Sequence, residues 1–142
     1  MSKNPNIKII VADYYKDISK NLTSSAVEIL KHNKLSYEII PVPGVYEIPQ
    51  MIKWQIKDKG MNCFLALGCV IKGDTYHFEV ISDSVGKALL DLVKDNKRTL
   101  IANGIINAYN MTQAKKRSQM NSSKNKGFEA ASAMVKMIQC LI

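Results

Sequence analysis

His77 is one of two histidines in a 142-residue chain, and the residues before it are of the kinds a phosphate-handling site uses. In GCVIKGDTYHF, residues 68–78, an apolar run gives way to Lys72, Gly73, Asp74 and Thr75, then to Tyr76 and His77. Backbone N–H groups at the start of a helix attract phosphate. Imidazole is the side chain best suited to moving protons near neutral pH. An anion-binding turn followed by a histidine can therefore hold a phosphorylated substrate and relay protons beside it. Each piece also has a plainer explanation. Asp or Thr before a helix is the usual N-cap, and a histidine between Tyr76 and Phe78 can simply pack. The spacing of Gly68 and Gly73 matches a nucleotide-triphosphate loop. Asp74 and Thr75, however, stand where that motif needs Lys and Ser or Thr, which excludes it. His32, in KHNK, lies near a helix end and is expected to be solvated.

Four short apolar, β-branched runs alternate with helical patterns and must position this turn. IKIIVA (7–12), SYEIIPV (36–42), CFLALGCVI (63–71) and TLIANGII (99–106) predict strands buried on both faces. Residues 18–30 carry Ile18, Leu22, Ala26, Ile29 and Leu30 as one stripe at three- and four-residue steps. Residues 46–58, 77–94 and 112–120 also have helical spacing. Residues 126–141 close the chain, with Phe128, Ala131, Met134, Val135 and Ile138 on one side. This succession predicts an α/β fold in one domain over 1–142: a three-layer α/β/α sandwich with a four-stranded parallel sheet, flavodoxin-like. Such sheets bind ligands beyond the carboxyl ends of their strands. That rim gathers Asp13, Tyr14 and Tyr15, then Gly44, Val45, Tyr46 and Glu47, then Lys72 to His77, then Asn107 and Ala108.

Composition narrows the remaining classes. With 46% hydrophobic and 23% charged residues, the chain can bury a single core. No apolar run approaches the roughly 20 residues of a spanning helix. MSKNPN lacks the apolar core of a signal peptide, so a soluble cytoplasmic protein without membrane contact is expected. Cys63, Cys69 and Cys140 form no CxxC pair and are read as reduced core residues. No Cys or His falls at zinc-ligand spacing, so no metal is expected. The formal charge of +8 favours anionic partners, yet no nucleic-acid recognition motif accompanies it. A receiver-type signalling domain shares the alternation but needs an acidic phosphoacceptor where Val70, Ile71 and Lys72 stand.

Four blocks carry a more specific signal: VPGVYEIP (42–49), ALGCVIKGDTYHFEVIS (66–82), NGII (103–106) and NKGFEAA (125–131). In this order they resemble the signature blocks of 6,7-dimethyl-8-ribityllumazine synthases, over essentially the whole chain. The resemblance implies the penultimate step of riboflavin biosynthesis. There, 5-amino-6-ribitylaminouracil condenses with 3,4-dihydroxy-2-butanone 4-phosphate, releasing phosphate and water, with no metal or organic cofactor. It implies that His77 transfers protons and that the backbone of Asp74 and Thr75 holds the phosphate with Arg117. A guanidinium fork suits a phosphate better than an ammonium does. It further implies that Tyr14 stacks on the pyrimidine and that Tyr46 and Glu47 line the ribityl pocket, with Val45 among the substrate-binding residues. Val70 and Ile71 would then border the uracil edge, with Lys72 also substrate-binding and Asn103 and Lys126 near the heterocycle.

Against the commonest family pattern, Asp13 stands for an arginine, Lys72 for the arginine of VIRG, Asn103 for an aromatic, and Asn107 and Tyr109 for Thr and an acidic residue. In the family the site lies between subunits of a homopentamer, so Asn103, Arg117 and Lys126 would serve the adjacent chain. The short N-terminal arm and the extended connection from Arg117 to Asn125 go with free pentamers rather than closed shells. A noncatalytic flavin or lumazine carrier on the same fold is the alternative.

Overall fold

The computed structural model describes residues 4–73 and 77–141. Its strands are β1 (Ile7–Ala12), β2 (Tyr37–Val42), β3 (Asn62–Ile71) and β4 (Thr99–Ala108). They form one sheet in the order β2-β1-β3-β4, parallel throughout, as βαβ crossovers require. The helices are α1 (Lys16–His32), α2 (Ile48–Gln55), α3 (His77–Asp95), α4 (Met111–Lys116) and α5 (Lys126–Leu141). No described helix is long and apolar enough to cross a membrane.

Strand alternation divides the core into two layers. Ile7, Ile9 and Val11 face α1 and α5, together with Leu65, Leu67 and Ile106. Ile10 and Ala12 face α2 and α3, with Phe64, Ala66 and Ile105. The stripe expected on α1 is buried at Ile18, Leu22, Ala26 and Leu30, and Ile29 is partly buried against it. These layers confirm the three-layer α/β/α sandwich and its four-stranded parallel sheet.

Three expectations about the elements need correction. β2 and β4 are the edge strands, and Glu38, Ile39 and Pro41 of β2 and Asn103 of β4 are exposed rather than buried on both faces. Proline has no N–H to give to a further strand, which suits an edge. The helix expected over 46–58 is a 3-10 turn, Val45–Glu47, followed by α2, which ends when Ile56 turns extended. The helix expected over 112–120 stops at Lys116. Asn110 caps its start by accepting from the Gln113 N–H at 2.9 Å.

Cys63 and Cys69 are buried, and burial pushes their thiols up to about 11 and about 12. Burial thus disfavours the thiolate at both. Cys140 is exposed near the end of α5 and is not a core residue. Among the described residues no group of three or more His, Cys, Asp or Glu could hold a metal ion. His32 is exposed in the last turn of α1, as expected.

The start of α5 is locked by a residue that apolar patterning does not single out. Asn125 is fully buried; its Oδ1 accepts from the N–H groups of Gly127 and Phe128 at 2.8 and 3.1 Å, and its Nδ2 donates to the Gln119 carbonyl at 3.2 Å. Gly127 then lies against the Leu22 carbonyl of α1, leaving no room for a Cβ. Gly127→Ala must push two packed helices apart and is expected to lower unfolding stability by about 2 kcal/mol. Denaturant unfolding checks this, with Gly86→Ala as the control. A Cβ at Gly86, inside α3, meets nothing within 4 Å. That substitution should raise stability by about 0.5 kcal/mol, since alanine is the better helix former.

Candidate active site

The carboxyl ends of β1 and β3, the 3-10 turn and the start of α3 enclose a cleft of about 560 Å³. Tyr14 and Tyr15 form one wall. They link β1 to α1, and Ser19 Oγ fastens the first turn of α1 back to the Ala12 carbonyl at 2.5 Å. The rings meet edge to face, 4.9 Å between centroids and 83° between planes. Tyr14 is left 74% exposed, and its open face can stack on a planar ligand. Burial pushes the Tyr15 phenol up, with smaller contributions from Cys69 and Tyr14.

The turn after β2 supplies Val45, Tyr46 and Glu47. Gly44 lets the Glu47 carboxylate approach closely, since a Cβ there would lie 3.0 Å from Glu47 Oε1 and nudge it aside. That carboxylate can accept hydrogen bonds from a polyol. The floor is Val70 and Ile71, the last residues of β3. There a parallel strand runs out, and its remaining backbone groups can meet a ligand edge. His77, the first residue of α3, completes the cleft and is exposed.

Seven of the residues expected in the site therefore share one cleft: Tyr14, Val45, Tyr46, Glu47, Val70, Ile71 and His77. Asp74 and Thr75 lie outside the described residues. Four others lie elsewhere. Lys72 is 3.7 Å from Glu79 and sits over the Tyr109 ring, and it does not line the cleft. Asn103 is exposed on the outer strand β4, its Oδ1 accepting from the Ile105 N–H at 3.0 Å. Arg117 follows α4, donating from Nη1 to the Asn107 carbonyl at 3.5 Å. Lys126 opens α5, 3.6 Å from Glu129. The Lys126 N–H donates to the Arg117 carbonyl at 2.8 Å, so these two cations belong to one corner beside β4.

Cleft residues not singled out from the sequence include Cys69, Val80 and Ile81. Val80 and Ile81 follow His77 by three and four residues on α3, so helical spacing from the histidine could have found them. A second depression of about 600 Å³ lies between the starts of α1 and α4, lined by Ile18, Met111 and Met120 among others. Of the expected rim residues it contains only Tyr15, which it shares with the cleft, and it has no comparable set of a carboxylate, an imidazole and a strand end.

The cleft can hold a flat heterocycle against Tyr14, bind hydroxyls at Glu47 and offer an imidazole for proton transfer. Among the described residues no Lys or Arg lines it.

Comparison with known proteins identifies the family. The family model described as 6,7-dimethyl-8-ribityllumazine synthase matches residues 4–141. A protein of that name from Bartonella bacilliformis is 43% identical over 137 residues, covering 95% of this chain and 89% of its own. Its namesake from Bartonella tribocorum is 42% identical over 139 residues, covering 97% and 91%. The one from Agrobacterium fabrum is 37% identical over 144 residues, covering 98% and 95%. With a family match across nearly its whole length, this chain belongs to the 6,7-dimethyl-8-ribityllumazine synthase family.

Proposed function

We propose that this chain condenses 5-amino-6-ribitylaminouracil with 3,4-dihydroxy-2-butanone 4-phosphate to 6,7-dimethyl-8-ribityllumazine, the penultimate step of riboflavin biosynthesis. The observation that carries the proposal is the meeting of Tyr14, Glu47, the end of β3 and His77 around one cleft, in a chain of this family.

Tyr14 stacks on the pyrimidine, and the ends of Val70 and Ile71 border its polar edge. Val45, Tyr46 and Glu47 take the ribityl chain, whose hydroxyls donate to the carboxylate. The ring amine attacks the ketone carbonyl and water leaves to form an imine. Loss of a proton from the sugar-derived carbons then accompanies departure of phosphate, and the ribityl-bearing nitrogen closes the second ring with loss of water. Every step moves a proton, and His77 is the cleft group that carries it. Asp74 and Thr75 hold the phosphate at the start of α3.

Arg117, Lys126 and Asn103 fit this scheme as contributions to a neighbouring subunit. They lie beside the outer strand β4, away from their own chain's cleft, and that cleft has no cation for a phosphate among its described residues. A cyclic homopentamer brings the β4 corner of one subunit to the cleft of the next by a head-to-tail contact that closes into a ring. The protein acts as a single 1–142 domain in a free pentamer in the cytoplasm, without nucleic acid or membrane partners.

The test is the initial rate of lumazine formation, followed by absorbance, with both substrates and a protein-free control. A rate well above the control supports the enzyme. Tight lumazine binding with no acceleration makes the protein a carrier on this fold.

A further inference from the structure

Lys72 directly follows two residues of the cleft floor, yet its ammonium is engaged away from the cleft. It lies 3.7 Å from Glu79 Oε1 and 5.5 Å from the centroid of the Tyr109 ring. The same Tyr109 ring packs against Phe78 at 5.8 Å between centroids. Phe78 and Glu79 are the two residues after His77 in the first turn of α3. One helical turn on, Ser82 Oγ donates to Asn107 Oδ1 at 2.9 Å. The partner side is itself fixed. The Lys72 N–H donates to the Ala108 carbonyl at 2.9 Å, and the Tyr109 N–H donates to Gln113 Oε1 at 2.8 Å.

Resting on the function proposed above, we propose that Lys72, Glu79 and Tyr109 form a clamp that positions His77 and does not itself bind substrate. Each contact is weak alone. The ion pair is half-exposed and gains little in water, and a cation over an exposed ring adds modestly. Their effect comes from convergence: one ammonium holds the carboxylate beside His77 and the ring that packs on Phe78, so β3, β4 and α3 meet at the turn that aims the imidazole. A proton carrier displaced by a fraction of an ångström loses rate without loss of substrate affinity. Lys72, Glu79 and Tyr109 are thus positioning residues.

The experiment uses the full chain with Lys72→Met and Tyr109→Leu, set beside Lys72→Arg and Tyr109→Phe. The first pair should each lower kcat about tenfold with KM for both substrates within about twofold. The double variant should lose no more than either single, because both break one clamp. Arginine and phenylalanine keep the cation and the ring, and should restore most of kcat. Hydrogen exchange at the amides of residues 81–84, which bond back to the first turn of α3, should quicken about tenfold in the first pair and not in the second. This readout needs no turnover. If the unmodified protein makes no lumazine, the functional proposal falls while exchange still decides the clamp. Exchange as in the unmodified protein overturns the clamp. Faster exchange with kcat intact in an active enzyme overturns its role in positioning. A rise in KM alone makes Lys72 a substrate ligand and overturns the proposal.

Discussion

His77→Ala is expected to lower kcat by a factor of about 100 to 1,000, the usual loss when a positioned acid–base group is removed. The side chain is exposed at the first position of α3, so its loss removes no core packing, and assembly and unfolding stability should stay close to those of the unmodified chain. Tyr14, Glu47 and the end of β3 still form the binding surface, so KM for both substrates should change little. Activity should not fall to the protein-free level, since holding the two reactants together accelerates their condensation without a proton carrier. Steady-state kinetics on the purified variant, with denaturant unfolding beside them, measure all of this. A variant with full kcat would remove His77 from the chemistry.

The second large effect concerns where Arg117 acts. If Arg117 binds the phosphate as proposed, Arg117→Ala removes a charge-assisted hydrogen bond, and kcat/KM for the butanone phosphate should fall about 10- to 100-fold. If Arg117 serves the adjacent subunit, two nearly inactive variants must complement each other. In a random equal mixture of His77→Ala and Arg117→Ala chains, about a quarter of the subunit junctions place an intact histidine opposite an intact arginine. If the chain assembles into the proposed ring, the co-refolded mixture should recover about a quarter of the unmodified activity, far above the sum of the two variants. If both residues acted within one chain, mixing would add nothing. Titrating the ratio of the two chains measures this.

The sheet and the helices packed on it are legible in the sequence because their causes are local. IKIIVA delimits β1 at both ends, and the stripe from Ile18 to Leu30 follows from helical period alone. Whether a strand is central or at an edge depends instead on what pairs with it. YEIIPV taken alone has the pattern of a buried strand, and only the order β2-β1-β3-β4 puts it outermost. Pro41 and Glu38 already point that way, since edges favour proline and charge. The short α4 and the split at Glu47 depend on Asn110 and on backbone turns that apolar spacing does not register.

The site is legible to a similar extent. Residues at strand ends reach the cleft because the topology of a parallel sheet sends them there. Val80 and Ile81 require the helical phase of His77, and Asn125 is hidden because a buried Asn cap has no apolar periodicity. Lys72 shows the limit of spacing most clearly. Its neighbours Val70 and Ile71 line the cleft, but an ion pair with Glu79 and the ring of Tyr109 draw its side chain elsewhere.

The most direct measurement is the rate of lumazine formation by the purified protein at known subunit concentration, with both substrates saturating and the unaided condensation subtracted. Catalysis proportional to protein, dependent on the phosphate ester and strongly reduced in His77→Ala is expected. Folded, assembled protein that binds the lumazine product but leaves the rate at the protein-free value would contradict it.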